Sequence, residues 1–446
     1  MRKFKLILAF GMRKDYLDDT NNDIRQKRNV QWRKVRAYPS ELLGHYKTYF
    51  LDQGRSCGKS ISMKKSAASV LGIAAISALL LTGCSSGGST SVEQATNPLA
   101  GVTAKELVPT GILGLGPNGV KSGSLSDVVL TDAEVAQAKE KKFRVGIVMQ
   151  TMNIEWSTEQ VRAITDRLKE LNAEVVGVVD PNFDVTKQVS GIENMIQLKP
   201  DAIISIPVDD TATAEAYRKI GQAGIKLIMM DNVPKGLVYP ADYQGMVSSD
   251  NQGNGAVCAE ALAKFIPKGG TVGVLDFGVD FFVTKERMKG FVDWMKANRP
   301  DIKIKTQEFL DPSKSGQNAG DFLTANPDIK GMFAEWEVPA LAIDQAVRAQ
   351  GKTMPIVAVN IASDVANELA TGGNIKALGA QVPYDQGLAE ADMAVKVLLG
   401  GSVPNWLAFP AVPVLQQNVL EAWKSVYHQD PSSQLVDACK ATEACG

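Results

Sequence analysis

Histidine is almost missing from this chain: His45 and His428 are the only two in 446 residues. Neither sits near a cluster of cysteines or carboxylates, which removes a histidine-based triad and a histidine-rich metal centre as the basis of function. Cysteine is scarce as well. The five cysteines (57, 84, 258, 439 and 445) show no zinc-site spacing. The body also has no G-x-S-x-G elbow and no phosphate-binding P-loop. Asp209 and Asp210 are adjacent, so their carboxylates point differently and make a poor acid/base pair for glycosidic cleavage. No enzyme, metal or cofactor is expected. The longest apolar run, 66–81, falls short of the roughly 20 residues that a spanning helix needs. His428, near the C-terminus, reads as a solvated surface residue.

The net charge of −1 hides an uneven distribution: residues 1–83 carry 16 Lys/Arg against 6 Asp/Glu, so the remainder is acidic. An acidic body argues against a nucleic-acid partner, and a basic start suggests a removable or membrane-facing segment. Met63-Lys64-Lys65, the apolar run and Leu81-Thr82-Gly83-Cys84 form a complete secretory signal. Leu-Thr-Gly-Cys resembles the lipobox of bacterial lipoproteins, which implies acylation of Cys84, export, and attachment to a membrane facing the periplasm or the cell exterior. Residues 1–62 are basic and poorly periodic, the expectation for a leader that is not part of the native protein, with translation starting at Met63. Residues 63–83 are then the signal peptide. Residues 84–142 are a tether and spacer, with SSGGSTS behind the anchor and Thr131–Glu134 as a capping box opening a short helix. Residues 429–446 form a C-terminal tail in which Cys439 and Cys445 could pair, a disulfide suited to an exported protein.

From 143 onward apolar β-rich runs alternate with helical periodicity. The first unit is a strand at 143–149, the loop QTMNIEW, a helix opened by a Ser157/Gln160 capping box, and a strand at 174–179. Strands follow near 202–206, 226–230, 271–275, 302–309, 331–334, 356–359 and 375–379, with helices between them. Alternation of this kind predicts an α/β fold: two successive doubly wound parallel sheets with helices on both faces.

IPVDD, IMMDN, SSDNQGNG, KERMKGF, AVNIASD and GAQVPYDQG, with TMNIEW after the first strand, resemble the periplasmic sugar-binding proteins of the ribose-binding type (type I). LacI-like repressor effector domains share that fold. SSDN-x-x-x-G before a helix, paired with AQ-x-P-x-D-Q-G, carries most of the likeness. The resemblance implies two lobes joined by three hinge crossings, one of 143–249 with 382–411 and the other of 250–381 with 412–428. It also implies a monomer that captures a small sugar or sugar-like polyol and delivers it to an ABC permease, or presents its closed form to a membrane sensor. A repressor is disfavoured because a secretion signal, not a helix-turn-helix, precedes the body.

Polar and aromatic residues cluster just past strand ends: Asn153, Trp156, Asp209, Asp231, Asn232, Phe282, Lys285, Trp336, Asn360 and Gln381. Such a set suits a sugar, whose hydroxyls want carboxylate and amide partners and whose C–H faces stack on rings. The resemblance places Trp156 as the sandwiching aromatic, Asp231 as the hydroxyl-binding carboxylate and Gln381 as the amide near the last crossing. Asn232 and Lys285 stand where Arg is often found, Trp336 where Asn is common and Asn360 where Asp is common. That implies a pocket shaped differently from a ribose site. Each residue also has a plainer role open to it: Trp156 and Trp336 in packing, Asp209 and Asp210 as helix caps, Asp231 and Asn232 in a turn, and Lys285 paired with Glu286 on a helix surface. Either Phe281 or Phe282 belongs to the core.

Overall fold

The computed structural model describes residues 97–107 and 111–445, and from Pro98 on the chain forms one compact unit. The leader, the signal segment and Cys84 lie outside the described residues. Two six-stranded sheets carry the body. The first contains β1 (Arg144–Val148), β2 (Glu174–Val179), β3 (Ala202–Ser205), β4 (Lys226–Met230), β5 (Gly245–Ser249) and β11 (Trp406–Phe409). Its order is β11-β5-β4-β3-β1-β2, all parallel. The second contains β6 (Thr271–Phe277), β7 (Lys303–Phe309), β8 (Ile329–Ala334), β9 (Ile356–Val359), β10 (Ile375–Ala380) and β12 (Val412–Val414). Its order is β12-β10-β9-β8-β6-β7, parallel except for β12. Strands β3, β5 and β9 are buried along their whole length, as sheets covered by helices on both faces require.

The helices of the first lobe are α1 (Asp132–Lys141), α2 (Glu155–Glu170), α3 (Val185–Gln197), α4 (Ala214–Gln222) and, after the second crossing, α10 (Pro383–Leu398), which packs on α2. The second lobe carries α5 (Asn251–Ala263), α6 (Phe282–Asn298), α7 (Ser315–Ala325), α8 (Glu337–Ala349), α9 (Ser363–Ala370), α11 (Val419–Tyr427) and α12 (Ser433–Thr442). The chain passes between lobes after β5, after β10 and between β11 and β12, giving three crossings.

The Thr131 capping box is present, with Thr131 capping the Glu134 amide and Glu134 returning to the Thr131 amide. The second helix differs from expectation. It starts at Glu155, two residues before Ser157, and Ser157 is buried, accepting from Gln150 Nε2 at 3.4 Å. Glu155, the first residue of the helix, reaches Ser363 of the other lobe. The segment ahead of α1 is docked on the body. Leu99 and Leu107 join the second lobe's core, while Leu113 and Gly114 donate their amides to Asp250, the residue at the first crossing, at 2.6 and 2.9 Å. The C-terminal residues are helical, not a loose tail. Leu435 and Cys439 are buried, Thr442 bonds the Ala370 carbonyl, and Cys439 is bonded to Cys445 with Cα atoms 5.2 Å apart.

Candidate functional site

The two sheets have the same strand order, so their carboxyl-end loops supply matching positions to the space between the lobes. Asp231 follows β4 and Asn360 follows β9, the third strand of its sheet in each case. Both hold left-handed backbones, φ +53° and +72°, which a non-glycine residue adopts at a cost of order 1–3 kcal/mol and keeps only where the surroundings enforce it. The Asp231 amide is tied to the Val247 carbonyl at 2.8 Å and the Asn360 amide to the Gly379 carbonyl at 3.2 Å. These bonds supply the enforcement.

Between these ends lies a cavity of about 50 Å³ lined by Gln150, Trp156, Asp231, Arg287, Asn360 and Gln381, with aromatic walls from Phe281, Phe277 and Trp336. Trp156 comes from the start of α2, and Trp336 directly precedes α8. On the second lobe Phe277 meets Trp336 edge-on at 5.1 Å and Phe281 at 6.4 Å, and Phe309 backs both Phe277 and Trp336. Trp336 is thus anchored in an aromatic cluster and also lines the cavity; packing and lining are not alternatives for it.

Asp231 is 2% exposed. Burial pushes its carboxyl up, opposed by Arg287, the Ser248 hydroxyl and the Ser249 amide. The Ser248 hydroxyl donates to it at 2.7 Å. Arg287 is 4% exposed. It spends Nε on Asn251 Oδ1 and Nη1 on the Glu335 carbonyl, both at 2.9 Å. Burial lowers its pKa, while Asp231, Glu335 and Glu337 oppose that shift. Its place depends on a close helix crossing. A Cβ on Gly255 of α5 would lie 2.0 Å from the Arg287 carbonyl, and one on Gly290 of α6 would lie 2.1 Å from the Gln252 carbonyl. Only glycines let these backbones meet. Asn360 donates to Glu337 at 2.9 Å and accepts from Gln381 Nε2 at 2.9 Å, so an amide relay crosses the floor of the second lobe.

Three of the lining side chains present buried polar atoms with no hydrogen-bond partner: Gln150 Oε1, Trp156 Nε1 and Gln381 Oε1. An unpaired buried polar atom costs about 1–3 kcal/mol. Two acceptors and one donor between aromatic walls are what a hydroxyl-bearing molecule would satisfy.

The other expected residues fall elsewhere. Asn232 is fully buried beside the cavity, where its Oδ1 accepts the Val283 amide of the other lobe at 3.2 Å. Asp209 caps the turn after β3, accepting the Thr211 and Ala212 amides at 2.8 and 2.6 Å. Asn153 is exposed and donates to Asn182 Oδ1 at 2.8 Å. Lys285 does not reach the cavity. It is paired with Asp280 on the outside of α6, because two residues on a helix turn a side chain by about 200° from the inward face held by Arg287. Phe282 is half-buried at the core's margin, and Phe281 lines the cavity in its place. The pocket therefore does hold an arginine, two positions beyond Lys285. That signal was legible: Val283, Arg287, Gly290 and Phe291 share one helical face, so the arginine lay on an otherwise buried stripe. Gln150, two residues past the end of β1, also lines the cavity, and no local pattern separates it from the rest of its loop. His428 is exposed, as expected, and its Nε2 lies 3.0 Å from Asp385 with its ring packed on Tyr384.

The lobes are in contact around the cavity. Glu155 accepts the Ser363 amide and hydroxyl at 2.7 and 2.5 Å. Asp280 meets Thr211 at 3.3 Å and pairs with Lys235.

A family model described as "periplasmic binding protein domain" matches residues 145–402. The ribose import binding protein of Bacillus subtilis is 25% identical over 272 residues, covering 61% of this chain and 87% of that protein. A xylitol-binding protein of Mycolicibacterium smegmatis is 26% identical over 259 residues, covering 57% and 72%. Among solved structures, an ABC transporter solute binding protein from Agrobacterium vitis bound with α-D-tagatopyranose superposes with a TM-score of 0.60 at 24% identity, covering 66% of this chain and all of that one. One from Mycobacterium smegmatis with bound glycerol gives 0.57 at 23%, covering 62% and 95%. With the family match spanning more than half the sequence and both sheets in the expected order, the chain belongs to the periplasmic binding protein family.

Proposed function

We propose that the protein is a lipid-anchored solute-binding component that captures one small sugar or polyol between its lobes and delivers it to an ABC importer. The observation that carries this reading is the set of unpartnered buried atoms Gln150 Oε1, Trp156 Nε1 and Gln381 Oε1 on three side chains that line one cavity between aromatic walls. Relatives named for ribose and xylitol, and structural neighbours solved with tagatose and glycerol, support the same class. At about 10–15 Å³ per water-sized position, 50 Å³ holds roughly four such groups, far too little for an oligosaccharide. Arg287 and Asp231 face the same space and offset each other, which favours a neutral ligand over a sugar acid or phosphate. Ligand binding stabilises the closed form by its differential affinity for the two states, and the importer reads that form. Acylation of Cys84 holds the body at the membrane, and the Cys439–Cys445 bond suits an oxidising compartment.

A thermal-shift screen against pentoses, hexoses, polyols and sugar phosphates tests the reading. At least one neutral compound is expected to raise the melting temperature while phosphates do not. A panel in which no neutral compound binds overturns it.

A further inference from the structure

Beside the inner cavity lies a second, larger one of about 440 Å³, formed by both lobes. The first lobe contributes Phe183, Asp184 and Asp209, and the second Val279, Leu310 and Asp311, among others. Phe183 and Phe277 line both spaces, so the two are neighbours separated by these rings. The lobes already touch at this rim. Asp209 lies two residues before Thr211, whose hydroxyl reaches Asp280 across the gap. The space is therefore one that lobe contact leaves open.

Two further features mark it. Leu310 is 69% exposed and Phe183 37%, two of the six large apolar side chains left exposed among the described residues. Phe183 is also held in a costly backbone. Asn182 and Phe183 are consecutive left-handed residues at φ +52° and +60°, a conformation a bulky side chain rarely takes. The surroundings impose it. The Phe183 amide donates to the Gln150 carbonyl at 2.7 Å, the Asn182 amide donates to Asp180 at 3.0 Å, and Asn182 Oδ1 accepts from Asn153 at 2.8 Å. The strained turn sets the Phe183 ring at the partition between inner cavity and vestibule. The vestibule wall is apolar with three carboxylates, Asp184, Asp209 and Asp311, and no basic residue. It suits an apolar group without negative charge.

Building on the sugar- or polyol-binding reading, we infer that this vestibule is a second subsite that takes an uncharged or cationic apolar substituent on the ligand, so that the preferred solutes are glycosides or alkylated polyols and not free monosaccharides alone. The inner cavity holds the hydroxylated ring and Phe183 lies where the substituent leaves it.

The test is calorimetric titration of the full chain with the best free sugar from the screen and with its α- and β-phenyl, 4-aminomethylphenyl and 4-carboxyphenyl glycosides. One anomer of the phenyl or aminomethylphenyl glycoside is expected to bind at least tenfold tighter than the parent sugar, and the carboxyphenyl glycoside at least tenfold weaker than its phenyl counterpart. Leu310→Ser should erase that gain while leaving affinity for the parent sugar within twofold. Phenyl glycosides of both anomers that bind no better than the parent, or an unchanged gain in Leu310→Ser, overturn the subsite while the sugar-binding reading stands. If neither parent nor glycosides bind, that reading fails and the subsite with it.

Discussion

Replacing Arg287 by Met keeps much of the side chain's volume and removes its charge and both of its fixed hydrogen bonds. Those bonds tie α6 to Asn251, beside the first crossing, and to the carbonyl of Glu335 at the end of β8. Hydrogen bonds from a charged donor contribute about 1.5–3 kcal/mol each, so losing two puts roughly 3–6 kcal/mol at stake. Asp231 also loses the cation that offsets its burial, and its carboxyl rises further. The expected result is a marked drop in the denaturant midpoint and ligand binding weakened by about 2–5 kcal/mol, the range for stripping a buried charged partner from an interface. Arg287→Lys separates the two contributions. The ammonium keeps the Coulomb attraction to Asp231 but cannot reproduce the planar fork, so it should recover part of the stability and little of the affinity. Denaturant unfolding gives the first quantity and calorimetry the second. If Arg287→Met binds with wild-type affinity and unfolds at the wild-type midpoint, Arg287 is not part of the site.

Three other perturbations probe separate parts of the account. Asp210 is buried against the Phe282 amide of the opposite lobe, and burial, with Asp280 and Asp209 adding to it, pushes its carboxyl up to about 8 from the ordinary 3.8; Lys235 and Lys285, both paired with Asp280, are the nearby cations. The closed form therefore holds a proton that an open one releases, so affinity should fall as pH rises from about 4 to 8, by at most tenfold per unit, and level off above 8. Asp210→Asn should flatten that slope and bind tighter at pH 8, and a slope shared by mutant and wild type refutes the assignment. Asp250→Ala removes the acceptor for the Leu113, Gly114 and Gly253 amides; a stability loss of about 3–5 kcal/mol and faster proteolysis ahead of α1 are expected, and an unchanged midpoint contradicts the docking of that segment. Cys84→Ala should move the exported protein from the membrane to the soluble fraction, and retention at the membrane removes the lipid anchor.

Most of the fold was legible because its signals are local. Continuous apolar β-rich runs and period-3.6 runs alternate through the body, and the Thr131 box opens its helix as written. Trp156, Asp231, Trp336, Asn360 and Gln381 line one cavity for one reason: in doubly wound sheets, whatever follows a strand faces the crevice. The misses come from phase and from tertiary pairing. Phe281 and Phe282 differ by one residue at a strand-to-helix turn, and sequence alone does not fix which side of the turn faces inward. Lys285 and Arg287 differ by half a helical turn. The helix that starts at Glu155 has the apolar Ile154 at its cap position, and the Glu155 carboxylate is committed instead to Ser363 more than 200 positions away. No local pattern encodes that contact. Asn153 and Asn232 carried the right chemistry in the right loops, yet the first fixes the strained turn at Phe183 and the second joins the lobes.

Calorimetric titration of the best-binding sugar or polyol into the wild-type protein and into the Trp156→Ala/Asp231→Ala variant tests the central claim most directly. The account predicts single-site binding to the wild type, with about 2.7 kcal/mol of added stability at one hundred times the dissociation constant. It predicts loss of measurable heat in the variant, whose unliganded fold persists. Equal affinity in the two proteins would place the ligand outside the cavity between the lobes and contradict the account.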